Sequence, residues 1–193
     1  MGLGDVLFGR KKLKEAAGER LFAISTARIT LEAELALKPA GAAGVCFKAL
    51  SAGEFVRAEN ELQELLDAVA VESGSKVERR SDELGFEWIV VRDGDFEDLV
   101  TTVHLVSSQL QERGFGAQLL AALFPFETRG GFDEQRVYWI YGFKRGAFWP
   151  FVPKGDGKER DNAAELELKA KLEPELPVEQ DLTRWFAVFD APV

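Results

Sequence analysis

Twice in this sequence a pair of β-prone stretches leads into a capped amphipathic segment, and that order restricts the chain to few folds. In the first round Arg28–Leu37 alternates. Ile29, Leu31, Ala33, Leu35 and Leu37 fall on one side, with Arg28, Thr30, Glu32 and Glu34 on the other, which predicts a half-buried strand. A loop over Pro39–Gly44 separates it from Val45–Leu50, which reads as a more buried strand. Ser51 and Glu54 then have the spacing of a capping box, in which each side chain satisfies a free N–H of the first helical turn. Phe55, Leu62, Leu65, Leu66 and Val69 recur at helical spacing, so Ser51–Glu72 reads as a helix.

The second round repeats the order. Lys76–Ser81 is a polar strand suited to a sheet edge, where charge discourages pairing with other chains. Asp82–Gly85 turns, and Phe86–Arg92 is a strand with Phe86, Trp88 and Val90 on one side. Asp95 can cap a helix whose Phe96, Leu99, Val103, Val106 and Leu110 share a face, and Gly114 suits the position just beyond its end.

A third, longer round follows. Phe115–Phe126 is apolar and reads as a strand, with a short helix as the alternative. Arg136–Phe143 is aromatic and β-prone, Lys144–Gly146 turns, and Phe148–Val152 pairs back. Arg160–Leu172 reads as a helix capped by Asp161 or Asn162 and stopped before Pro174. Leu176–Val193 is an irregular tail whose Trp185, Phe186 and Phe189 should dock on the body. Short links between successive strands favour antiparallel pairing. The expectation is an α+β fold: a mainly antiparallel sheet built from successive ββα units, with helices packed on one face. The expected domains are an N-terminal helical segment over residues 1–20, peripheral to the rest, and a single domain over residues 21–193 with a docked tail.

Bulk properties narrow the function. With 193 residues the chain suits one domain. Its net charge of −9 repels phosphate backbones and argues against nucleic-acid binding. One cysteine, Cys46, and one histidine, His104, leave no internal disulfide and too few ligands for a structural zinc site. No apolar run has the roughly 20 residues needed to cross a bilayer. The start, Met1-Gly2-Leu3-Gly4-Asp5, is unlike a signal peptide, so the expected location is the cytoplasm.

Specific chemistry is hard to find. Asp93-Gly-Asp95-Phe-Glu97-Asp98 begins like a calcium loop, but Asp98 and His104 stand where that loop needs Gly and Glu. These acids suit a helix N-terminus better, where they complement its dipole. His104 falls at the margin of an apolar helix face, and no Gly-x-Ser-x-Gly elbow supplies a nucleophile for it. Cys46 lies between Val45 and Phe47 and reads as core, although Lys48 shares its side of the strand and could activate a thiolate. No glycine-rich phosphate loop occurs. Neither a cofactor nor a metal is expected. Carboxylates are plentiful, but one sequence does not show which of them converge.

Two segments remain as binding candidates. The hairpin Tyr141–Pro153 carries Lys144 and Arg145 at its tip and Phe148, Trp149 and Phe151 on its return arm, with Arg160 close behind. Aromatics beside arginine make good anchor points for a protein partner, though an aromatic hairpin also serves as core, with Arg160 pairing locally to an acid. At the other end Leu3, Val6, Leu7 and Phe8 cluster ahead of Arg10, Lys11, Lys12 and Lys14. That pattern suits peripheral contact with an anionic membrane, or a terminal helix packed on the domain.

The chain also resembles a known family. The stretches Gly44–Lys48, Phe86–Asp93, Gly114–Leu120, Phe124–Phe126, Lys144–Pro153, Arg160–Asn162 and Glu175–Phe186 are similar to the PspA-associated PspAB family of phage-shock-type envelope-stress systems. Lys48 and Ala147 replace the Arg and Thr the resemblance leads one to expect. The resemblance implies a non-catalytic accessory protein whose partners are a PspA-like protein or an HtpX-type membrane protease. It implies no catalytic or ligand residues. Two other readings stand beside it: an enzyme that uses carboxylates alone, and a direct membrane-surface sensor acting through the N-terminal segment.

Overall fold

The computed structural model describes residues 18–48, 52–128, 136–155 and 159–193, and for 52–62 only the path of the backbone. A 3-10 turn at Arg20–Phe22 runs into helix α1 (Ala23–Leu35), so the strand expected over Arg28–Leu37 is a helix for most of its length. Ile24, Ala27 and Leu31 supply a stripe of helical period, and all three are buried. Ile29, which alternation placed inside, is 64% exposed. Ala36 ends the helix in the left-handed region at φ 52°, its N–H bonded to the Leu31 carbonyl.

Strand character begins only afterwards, in β1 (Leu37–Pro39) and β2 (Ala42–Lys48). Gly41 between them has φ +74°, a conformation that favours glycine. Helix α2 (Ala52–Ser73), strands β3 (Lys76–Ser81) and β4 (Phe86–Arg92), and helix α3 (Phe96–Glu112) follow in the expected order, and the capping box read at Ser51 and Glu54 lies outside the described residues. The Asp95 carboxylate accepts the N–H groups of Glu97 and Asp98 and closes the first turn of α3. Gly114, at φ 91°, ends that helix, and Phe115–Ala117 is a 3-10 turn rather than strand. Strand β5 starts later than expected, at Leu119–Thr128, because that turn, closed by the Gln118 N–H on the Phe115 carbonyl, takes up the residues before it.

Strands β6 (Arg136–Gly142) and β7 (Ala147–Phe151) make the aromatic hairpin. A small clip of β8 (Pro153–Lys154) and β9 (Glu159–Arg160) precedes helix α4 (Asn162–Leu172). Arg160, expected at the head of that helix, therefore sits in the clip, and Asp161 is the N-cap.

The main sheet has the order β3-β4-β2-β5-β6-β7, with β1 paired to the far end of β5, and each pairing is antiparallel. The polar strand β3 lies at one edge, as its composition predicts. At the other edge the tail closes the sheet. The Phe148 N–H donates to the Pro177 carbonyl and the Glu179 N–H to the Phe148 carbonyl, each at 2.8 Å. The fold is thus α+β in a single compact domain.

Register separates the two sheet faces. Val45, Ile89 and Ala122 lie side by side on one, and Cys46, Trp88 and Ala121 on the other. Helix α3 covers the first, with Phe96 edge-on to Phe124 and Phe126 at 6.1 and 5.4 Å. Helix α1 packs on α3 and is tied to the α4 region by the Lys171–Glu34 ion pair and a bond from Thr30 to Glu175. The second face is covered in part by the tail, which leaves a cleft.

Candidate functional site

The cleft encloses about 940 Å³. Its floor comes from three neighbouring strands: Cys46 lies opposite both Trp88 and Ala121, and Phe86 and Leu123 extend the same surface. One wall is the β3–β4 turn, where the Asp82 side chain organises the backbone. One carboxylate oxygen accepts the N–H groups of Leu84 and Phe86, and the other accepts the Trp88 indole N–H at 2.8 Å. Leu84 is thereby held at the tip of a rigid turn with 80% of its surface exposed. The opposite wall is the tail from Phe186 to Pro192. Phe186 is half exposed there.

The hairpin residues singled out in the sequence build this wall from behind. Phe148 and Phe151 are fully buried and Trp149 nearly so, Phe148 against Tyr141 and the other two against the tail. The Trp149 indole N–H donates to the Phe186 carbonyl at 3.1 Å, and its ring meets Phe186 edge-on. Phe151 meets Phe189 the same way at 5.1 Å. Arg160 grips the Glu165 carboxylate with its Nε and Nη2 and donates from Nη1 to the Trp185 carbonyl at 2.7 Å. Glu165 is 2% exposed and also accepts the Val152 N–H. In this structure Trp149, Phe151 and Arg160 act as supports of the wall, Phe148 packs on Tyr141 on the α3 side of the sheet, and the exposed part of the hairpin is its tip.

At that tip Lys144 and Arg145 are exposed, and Arg145 pairs with Glu179 at 3.3 Å. The tip stands at the Leu120 end of the cleft, since the Phe143 N–H donates to the Leu120 carbonyl.

The remaining candidates do not assemble into a reactive centre. Burial, followed by the nearby Asp82 charge, pushes the Cys46 thiol up to about 12. Cys46 is core, as its neighbours indicate, and Lys48, the alternative activator, is exposed. Burial lowers the His104 pKa, and its ring packs on Phe22 with centroids 4.9 Å apart. Its nearest hydroxyl, Ser108, is one helical turn on and 3.4 Å away. Asp93 belongs to a structural knot: it accepts a 2.6 Å bond from Ser75, which also contacts Thr102, and takes the Asp95 N–H. Among the described residues no group of three or more His, Cys, Asp and Glu is placed to hold a metal ion. The membrane candidates Leu3, Val6, Leu7 and Phe8 lie outside the described residues, and no described helix is long and apolar enough to cross a membrane.

The cleft itself escaped the sequence reading. Its signals were Leu84, an apolar residue at the tip of an acidic turn, and the tail aromatics assigned wholly to docking.

A family model described as PspAB, PspA associated protein B, matches residues 1–193. No curated protein and no solved structure matches the chain.

Proposed function

This chain belongs to the PspAB family, PspA associated protein B, and from that premise we propose that it is a non-catalytic accessory protein of a PspA-type envelope-stress response. A protein partner docks in the cleft between the Asp82 turn and the tail. The observation that carries this reading is an apolar cleft whose walls are fixed by hydrogen bonds and which still exposes Leu84 and Phe186. Exposed apolar surface framed by polar groups favours association, and rigid walls lower the ordering cost of binding.

In this reading the PspA-like protein is the direct partner, and an HtpX-type membrane protease is reached through it. Lys144 and Arg145 add polar contacts at the Leu120 end, where they set register more than affinity. The protein works in the cytoplasm and reaches the inner face of the cell membrane through its partner.

The test is capture from envelope-stressed cells with the wild type and with Leu84→Glu. Wild type should recover the PspA-like protein, and the variant should lose it while keeping the wild-type melting temperature. Recovery of neither PspA-like protein nor membrane protease by the wild type would overturn the reading.

A further inference from the structure

We propose that the segment a protein partner lays in this cleft is an extended one, in which apolar residues alternate with basic ones, and that its backbone pairs with the tail at Ala187. The inference rests on the cleft being a docking site.

Charge sets the sign of the partner. The cleft lining carries Asp82, Glu83 and Asp190 against Arg80, and Arg80 is itself paired with Glu78 at 3.0 Å. The Asp82 charge reaches the floor, where it is the second cause, after burial, that raises the Cys46 thiol. An apolar floor beneath an acidic rim suits a segment whose apolar side chains face down and whose cations face the rim. A segment rich in acids meets like charge there.

Backbone sets the conformation. The strands of the floor use their N–H and C=O groups on one another, β4 with β2 and β2 with β5. The tail wall differs. From Trp185 to Val188 it runs without turn or bend. Phe186 is tied inward, its N–H to the Arg184 carbonyl and its own carbonyl to the Trp149 indole N–H. In an extended chain the next residue turns its groups to the other side. Ala187 lines the cleft, and among the described residues neither its N–H nor its C=O has a hydrogen-bond partner. Backbone groups of a folded chain are nearly always paired, and a strand laid beside Ala187 takes up both. The side chains of that strand then alternate between floor and rim. A helix bonds its own backbone and leaves Ala187 as it is. Asp190, at φ 60°, turns the tail, so the ladder is short and the side chains on the floor supply most of the affinity.

The experiment uses the full-length chain and the synthetic peptide acetyl-Lys-Leu-Lys-Phe-Lys-Val-Lys-amide, followed by NMR. The peptide should shift amides around the cleft and slow hydrogen exchange at Ala187. One form N-methylated at the apolar positions and one at the lysines each block a different edge of the strand. The form that blocks the edge facing Ala187 should bind about tenfold more weakly, as expected for one or two lost backbone bonds. Replacing every lysine of the peptide by glutamate should cost about tenfold or more. Glu83→Gln with Asp190→Asn should weaken the lysine peptide about threefold, since both charges stand at the rim. Unchanged binding by both N-methylated forms overturns the inference. So does equal binding of the glutamate peptide, tighter binding of a stapled helix of the same composition, binding that leaves Ala187 untouched, or no binding by any peptide. The docking function is read separately: if capture of the PspA-like protein still depends on Leu84 after any of these results, that function stands and the extended mode alone falls.

Discussion

Arg160 had two readings in the sequence, an anchor for a partner or a local pair with an acid. Its guanidinium holds the buried Glu165 carboxylate, five residues on, and a tail carbonyl. Arg160→Met leaves Glu165 charged and without its cation, and breaking such a buried pair costs about 3 kcal/mol. Urea unfolding should show that loss, and Arg160→Met with Glu165→Leu should recover much of it. Cys46 gives a second prediction. Raising a thiol from 9.0 to about 12 cuts the thiolate fraction near neutrality about a thousandfold. Reaction with a disulfide reagent at pH 8 should be slower than that of the unfolded chain by at least this factor. Equal rates would mean that the strand opens readily. The burial of Cys46 was legible from Val45 and Phe47 on either side. The tie between Arg160 and Trp185 was not, because it joins residues far apart in the chain.

Elements were legible where the sequence carries their end signals. Asp95, Gly114 and Asp161 mark helix ends by local hydrogen bonding, and the structure uses all three in that way. Asp95→Ala should cost about 1 kcal/mol, seen as a lower urea midpoint with an unchanged slope. Helix α1 shows where local reading fails. Over Arg28–Leu37 an alternating pattern and a helical stripe share Leu31 and Leu35. Only the residues before Arg28, Ile24 and Ala27, break the tie. The site is less legible still, because its floor exists only once strand register brings Cys46, Trp88 and Ala121 together. Gly44, beside that floor, is tightly enclosed. A methyl group there would stand 2.8 Å from Val193 and 3.1 Å from the Trp88 ring. Gly44→Ala should therefore displace the end of the tail, read as faster proteolysis after Phe186 with little change in far-UV circular dichroism.

For the molecule as a whole, ionisable groups in the sheet interior set an alkaline limit. Burial raises the pKa of Cys46, Tyr138 and Tyr141, so each stays neutral in the fold after it would ionise in the unfolded chain. The unfolded state then loses protons first, and stability falls as pH rises. For Cys46 the window runs from 9.0 to about 12. The melting temperature should decline across it, and Cys46→Ala should make the decline shallower. A flat profile over that window would contradict the burial of these groups.

The tail wall also bears on how the protein is made. The face that holds Trp88 and Cys46 comes from residues 42–123, but its second wall comes from residues 186–192. On a nascent chain still held by the ribosome before Trp185 has emerged, the floor lies open and no cleft exists. A message cut short upstream of that codon yields a polypeptide with most of the sheet and no site. The cleft is therefore completed only after residues 186–192 are made, and a product terminated before them lacks this surface.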